Sequence, residues 1–323
     1  MRNLIRNIAV FDPFVSLLMA VVLAASFLPC RGGLAIFLDY ATDAGIVLLF
    51  FLHGAKLSRE SIVSGMLNYR LHIATLTVTF FLFPVLGMVL IRAPGLDPSL
   101  ATGILYLTLL PSTVQSSIAF TSIAKGNVPA AVCAATLSNL LGMFITPVLV
   151  AIFMKLPGGQ TQVSLDSVKN IALQLLLPFV VGHLARPLLA VWLAKHKSLV
   201  GRVDRGTILL VVYTAFSASV VAGLWSRISA FNIVVMVLIS CGLLAFVLGI
   251  CWRMGVWLGL KREDTIVLLF CGSKKSLASG VPMAGTLFSS SEIGLIILPL
   301  MIFHQIQLIV CALIAKRMSK YCD

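Results

Sequence analysis

Long apolar runs separated by short polar connections dominate this chain. Apolar segments of about 20 residues or more predict ten helices, because that length crosses the hydrocarbon core of a bilayer. They fall at about 11–29, 35–55, 71–91, 99–124, 128–154, 168–189, 207–225, 231–257, 264–287 and 291–315. The connections leave no room for a soluble domain. Five segments precede residue 160 and five follow it. An odd number per half makes the second half enter the membrane in the opposite sense, which predicts two inverted five-helix repeats, 1–160 and 161–323. Asp-Pro-Phe at 12–14 echoes Leu-Pro-Phe at 177–179.

Composition agrees with an all-α integral membrane protein. Of 323 residues, 59% are hydrophobic and 11% are charged, against about 25% charged in a soluble domain. A water-soluble fold cannot hide that much apolar surface, and a disordered chain needs the opposite composition. The net charge of +13 would suggest nucleic acid in a soluble protein. Here the basic residues stand singly or in small groups between apolar runs, so nucleic acid is excluded as a partner and the bilayer takes its place. With ten spans, seventeen basic residues fall on one side, among them Arg2, Arg6, Lys56, Arg59, Arg70, Lys195, Arg205 and Lys320. Five fall on the other: Arg31, Arg92, Lys155, Lys169 and Arg227. The bias places both termini in the cytoplasm, and a bacterial inner membrane is the expected location. Arg2 and Arg6 followed by an apolar stretch look like a signal peptide, but Asp12 and Pro13 interrupt the start and no small-x-small site precedes Cys30, so this is read as an uncleaved first span. Cysteines 133, 241, 251, 271 and 311 lie in apolar segments without CxxC spacing, and read as small buried hydrophobes.

The fourth and ninth spans each carry a polar interruption at mid-membrane depth. One is Pro111-Ser112-Thr113-Val114-Gln115-Ser116-Ser117 and the other Gly272-Ser273-Lys274-Lys275-Ser276, about half a chain length apart. Proline breaks the helical ladder and glycine weakens it. Lipid cannot satisfy the backbone groups so released; protein or a polar ligand must. Ordinary kinked helices with serines bonded to their own carbonyls would explain the fourth span. They do not explain two adjacent lysines about ten residues from either end of a span. Each costs about 2.5–3.5 kcal/mol at the bilayer centre, so intramembrane charge of this kind marks a functional site.

At these residues the chain resembles the bile acid:sodium symporter family, and within it the divergent bacterial branch similar to the seventh human member of that solute carrier group. The motifs are PSTVQSSIAFTSIAKGN at 111–127, CGSKKSLASG at 271–280 and HGAKLSRE at 53–60. The resemblance implies a core domain of spans 3–5 and 8–10 (about 71–154 and 231–315) and a panel domain of spans 1, 2, 6 and 7 (about 11–55 and 168–225). Broken helices 4 and 9 would cross at their breaks, with substrate between core and panel and sodium behind the crossover.

Carried over residue by residue, the family's sodium-binding glutamate falls on Phe270, and its following glutamine and asparagine fall on Lys274 and Lys275. The span-3 glutamine falls near Thr79. Ser116 and Ser117 match the Ser-Asn pair, with the break one residue longer, and Thr136, Ser138 and Asn139 stand near the hydroxyl ligands, out of step by one. Sodium wants several oxygen ligands, and this site has lost its carboxylate at Phe270 and gained cations. Sodium coupling is therefore doubtful. Lys274 or Lys275 replaces the ion as a fixed counter-charge or as a proton carrier, leaving sodium or a proton as the coupling ion, with no other cofactor or metal.

The site residues expected are thus Lys274, Lys275, Ser273 and Ser276 in the ninth span and Thr113, Gln115, Ser116 and Ser117 in the fourth. Thr79, Thr136, Ser138 and Asn139 complete the carried-over ligand set, and Gln305 is a candidate for lining the cavity. His304 and Gln307, three apart, read as polar glue between helices. Asp39 and Asp43 form either an interfacial pair or an entry site, His183 and Arg186 sit at an interface, and Trp225, Trp252 and Trp257 anchor span ends. No nucleophile elbow, Walker loop or HExxH marks an enzyme. The function expected is secondary active transport of a small organic anion by alternating access, since helix N-termini and two lysines favour negative charge. The other class considered is a non-transporting membrane regulator or scaffold affecting calcium homeostasis.

Overall fold

The computed structural model describes residues 13–56, 68–92, 97–154, 165–223, 229–288 and 290–319. Arg2, Arg6, Arg59, Lys155, Arg227, Lys320 and Trp225 lie outside the described residues, as does the second half of HGAKLSRE. Every regular element among the described residues is helical. In chain order these are α1 Pro13–Phe27, α2 Gly33–Lys56 and α3 Tyr69–Leu90, the last with a π-helical turn at Val78–Leu82. Then come α4 Pro98–Leu109, α5 Gln115–Ile123, α6 Val128–Phe153, α7 Leu165–Lys195 and α8 Lys197–Val221. The last four are α9 Ala230–Trp257, α10 Arg262–Gly272, α11 Leu277–Leu287 and α12 Ser290–Ser319.

Among the described residues, seven segments are long and apolar enough to cross a membrane: Gly33–Lys56, Tyr69–Leu90, Val128–Phe153, Leu177–Lys195, Lys197–Val221, Ala230–Trp257 and Glu292–Ser319. Their outer faces are apolar and uncovered, as at Ile152 (64% exposed), Leu188 (86%) and Trp257 (84%). Only lipid accepts such a surface over most of a molecule, so this is an integral multi-pass membrane protein. α4 (12 residues), α5 (9), α10 (11) and α11 (11) are each too short, since a helix rises about 1.5 Å per residue against a core of about 30 Å.

Two groups of helices are distinguishable by their packing. In one, α2 packs along α7, and α8 packs on α1 and α2. The α2–α7 contact is close because glycines face backbone: a Cβ on Gly54 would lie 1.9 Å from the Phe179 carbonyl oxygen, and one on Gly182 the same distance from that of Phe51. Small residues let membrane helices approach in this way. In the other group, α4 packs on α12 and α3, α9 on α10 and α12, and α11 on α12. The two groups meet where α8 runs against α11 and α12, and α7 against α6.

The observed ends differ from the expected spans most at 190–206. That stretch, expected as a connection, is helical on both sides of His196, with α7 ending at Lys195 and α8 starting at Lys197. Hydropathy detects the part of a helix that lies in lipid. The polar turns holding Lys195, Lys197, Arg202 and Arg205 continue beyond it, because charged straight-chain residues are good helix formers.

Candidate functional site

The break between α4 and α5 begins at Pro111, which has no N–H to give. The Ser112 N–H turns away from the helical ladder to the Ser138 hydroxyl (3.1 Å). Leu109 O accepts from the Thr146 hydroxyl (2.8 Å). Gly142 makes room for α6 beside the break, since a Cβ there would lie 2.4 Å from Pro111 Cβ. The break between α10 and α11 is stitched directly to the first. Ser112 donates to Cys271 O, Ser117 donates to Phe270 O (3.0 Å), and the Ser276 N–H donates to Pro111 O (2.9 Å). Ser273 bonds back to Leu269 O (2.5 Å), and Ser276 caps α11 by accepting from the Ser279 N–H (3.1 Å). The backbone groups freed by each interruption are thus met largely by the other, as low dielectric requires.

Lys275 takes three further carbonyls, two at or just past the end of α4 and one in α3. Its ammonium donates to Thr79 O (2.8 Å), Thr108 O (2.8 Å) and Leu110 O (2.6 Å). Thr108 O is available because Ser112 has left the ladder. Thr79 O is available because α3 is in π register there, with the Phe83 N–H on Val78 O, and the next residue, Pro84, has no hydrogen to offer. The ammonium also lies 4.1 Å from the Phe83 ring centroid. All three donors are used. At about 1.5–3 kcal/mol for each bond to a charged group, they outweigh an insertion cost of about 2.5–3.5 kcal/mol. Gln307 holds the backbone of the same residue: its Oε1 accepts from the Lys275 N–H and its Nε2 donates to Lys275 O, both at 2.9 Å. Nε2 also lies 2.8 Å from His304 Nδ1.

Lys274 points the other way. Its ammonium has one long hydrogen bond, to the Ser116 hydroxyl (3.4 Å), and lies 4.3 Å from the Phe120 and 5.6 Å from the Phe270 ring centroids. Both lysines are 0% exposed.

A cavity of about 210 Å³ lies between the breaks and the α1–α2–α8 group. Thr113, Gln115 and Ser116 line it from the start of α5, Ser276 and Ser279 from the start of α11, and Asn139 from α6. The facing wall includes Phe14, Leu49, His53, Asp204, Arg205 and Ile208. Two helix N-termini therefore open on one space, and helix N-termini attract anions. Asn139 Oδ1 accepts from the Ser279 hydroxyl (2.6 Å), joining the α6 and α11 walls.

Most residues expected at the site are brought together. Ser138 and Thr79 are there, the latter by its carbonyl rather than its side chain, whose hydroxyl bonds back to Thr75 O (2.8 Å). Phe270 is fully buried, and only its carbonyl and ring take part. Thr136 and Gln305 are half-buried and play no part in the hydrogen bonds just described; His304 and Leu308, not Gln305, are the α12 residues lining the cavity. Asp39 and Asp43 are exposed.

Sequence reasoning missed the role of Gln307, which touches Lys275 and not merely another helix. It also missed Asp204 and Arg205 as cavity walls. A third omission is Asp264, whose carboxylate accepts from Asn68 Nδ2 and Asn127 Nδ2 (2.8 Å each). Each asparagine caps its own helix with its other side-chain atom, so one carboxylate ties together the first turns of α3, α6 and α10. An asparagine standing just before each apolar run was the available signal.

Among curated proteins, an uncharacterized protein of Pseudomonas aeruginosa is 50% identical over 97% of this chain and 94% of its own length. YfeH of Escherichia coli, named as a candidate symporter, is 50% identical over 96% of this chain and 94% of its own. Sodium/bile acid cotransporter 7 of Rattus norvegicus is 27% identical over 85% of this chain and 82% of its own. A family model matches residues 12–320, and the chain belongs to the family that it describes, the SBF-like CPA transporter family.

Proposed function

We propose that the chain is a secondary transporter of a small carboxylate-bearing molecule, working by alternating access between a core of α3–α6 and α9–α12 and a panel of α1, α2, α7 and α8. The observation that carries this reading is the cavity: its floor is two stitched helix breaks and its opposite wall is a separate helix group. Broken helices that present their N-termini to a midplane cavity suit an anionic substrate group. In this reading α4 with α5, and α10 with α11, each make one crossing. That gives ten crossings in two inverted halves, with both termini in the cytoplasm of a bacterial inner-membrane protein.

The coupling ion is not sodium at the crossover. The Lys275 ammonium is a tethered cation that uses the oxygens a free cation would need, and a second cation beside it would be repelled. The name of the Escherichia coli relative supports coupled transport. The test is flux in proteoliposomes with sodium and proton gradients varied separately. Uptake that needs a proton gradient, or neither, fits the reading, and uptake that requires sodium and ignores pH overturns it.

A further inference from the structure

The cavity has two chemically different ends. At the floor, α5 starts without a side-chain cap, so the N–H groups of its first turn, where Gln115 and Ser116 line the cavity, have no intrahelical acceptor. Asn139 spends its Oδ1 on Ser279, which leaves its Nδ2 as a donor. This end offers hydrogens and the positive pole of a helix, the requirements of a carboxylate.

The facing wall offers the opposite. Asp204 gives one carboxylate oxygen, Oδ2, to the Lys56 ammonium. Its other oxygen, Oδ1, is buried with no hydrogen-bond partner among the described residues, and so is His53 Nδ1. Both residues line the same cavity. A buried carboxylate oxygen without a donor is costly and demands an explanation. A donor brought by a ligand supplies one. The third charged group on this wall, Arg205, does not cancel the effect: it is exposed, where solvent screens it, and its guanidinium carbon lies 5.9 Å from the Phe14 ring centroid.

The size also discriminates. At about 210 Å³ the space is below the roughly 300–1,000 Å³ of sites for drug-sized ligands. It suits a molecule of a few heavy atoms.

We infer that this cavity takes a small zwitterion, an amino acid in the broad sense, with its carboxylate on the first turn of α5 and its ammonium at Asp204 Oδ1 and His53. The inference rests on the transport reading and narrows it: the anionic group is one end of a molecule whose other end is a cation.

The experiment is equilibrium binding to the full chain in detergent, read by thermal shift and calorimetry. The probes are three matched series of short acids: unsubstituted monocarboxylates, their ω-amino derivatives and the corresponding dicarboxylates. The amino series should bind about tenfold or more tightly than the unsubstituted one, as one charge-assisted hydrogen bond provides. Asp204→Asn should abolish that preference, lowering affinity for the amino series about tenfold and for plain acids much less. Lys56→Met, which leaves both Asp204 oxygens to the ligand, should raise it. Equal binding of unsubstituted acids, tighter binding of dicarboxylates, or no binding in any series overturns the inference. The same probes in proteoliposomes separate the two readings. Plain acids carried as well as amino acids would sink the zwitterion and leave transport standing; zwitterions bound but never carried would sink transport and leave the site standing.

Discussion

Lys274 and Lys275 are adjacent, identical and equally buried, yet their surroundings differ in kind. Lys275 is held at both ends. Gln307 fixes its backbone, and three carbonyls, in α3, in α4 and just past the end of α4, take its ammonium. Lys274 has one long bond to Ser116 and two aromatic faces. Ser116 in turn lines the cavity, whereas the carbonyls around Lys275 lie behind the breaks. The contrast separates two uses of a buried cation. One is a structural ion covalently tied to the chain, and the other is a charge kept within one hydroxyl of the cavity. Replacing each residue and its partner in turn should reveal the difference, most strongly at Lys275.

Lys275→Ala should have the largest effect, because it orphans three buried carbonyls at once. Each orphaned buried carbonyl costs about 1–3 kcal/mol, and no longer burying a charge offsets part of the sum, for a net loss on the order of 3–5 kcal/mol. The apparent Tm in detergent should fall by on the order of 10 °C. If the ammonium stands in for an ion, millimolar sodium should recover part of that loss in Lys275→Ala and leave the parent chain unchanged. A Tm equal to the parent's would show that the three hydrogen bonds contribute nothing. Gln307→Leu should come next. It removes both bonds to the Lys275 backbone and leaves a buried N–H and C=O unmet, at about 2–3 kcal/mol in all. Its effect should be non-additive with Lys275→Ala, since both act on one network; simple additivity in a double-mutant cycle would separate Gln307 from the lysine.

The parts of this site legible in the sequence were those set by local chemistry. Pro111 and Gly272 mark backbone that cannot continue a helix, and Lys274 and Lys275 stand at a depth where charge needs a reason. The direction each lysine takes was not legible. Successive residues around a helix break project to different sides, and which side holds free carbonyls depends on Pro84 in α3, nearly two hundred residues earlier. Asp204 was hidden for a related reason. It lies in the polar turn of α8 that hydropathy assigns to a connection, and only the packing of α8 on α2 brings it to Lys56 and the cavity.

Lys274→Met should be milder for stability. The substitution keeps the apolar stem and gives up one weak hydrogen bond and contacts with two rings. A cation over a ring is worth about 0.5–2 kcal/mol, offset by no longer burying a charge. The net change should be within about 1 kcal/mol, or in favour of the variant. The same change should reduce flux in proteoliposomes about tenfold or more and leave a measurable remainder, if Lys274 is the charge that serves the cavity. Full transport by Lys274→Met would remove the distinction between the two lysines.

Ser116→Ala tests that distinction with the smallest perturbation. Ser116 is half-buried, accepts from Lys274 at 3.4 Å and donates to the Thr113 hydroxyl at 3.5 Å. Both are long, so its loss should change stability by no more than about 0.5 kcal/mol. Its side chain both hydrogen-bonds the lysine and lines the cavity. Without the hydroxyl, the first turn of α5 keeps its N–H groups and the cavity keeps its shape, so substrate affinity should change only a few-fold. The coupling of substrate to Lys274 should change more. In a double-mutant cycle on transport, Ser116→Ala should cost less in the Lys274→Met background than in the parent. If the two losses simply add, Ser116 does not connect Lys274 to the cavity, and Lys274 is as sealed as its neighbour.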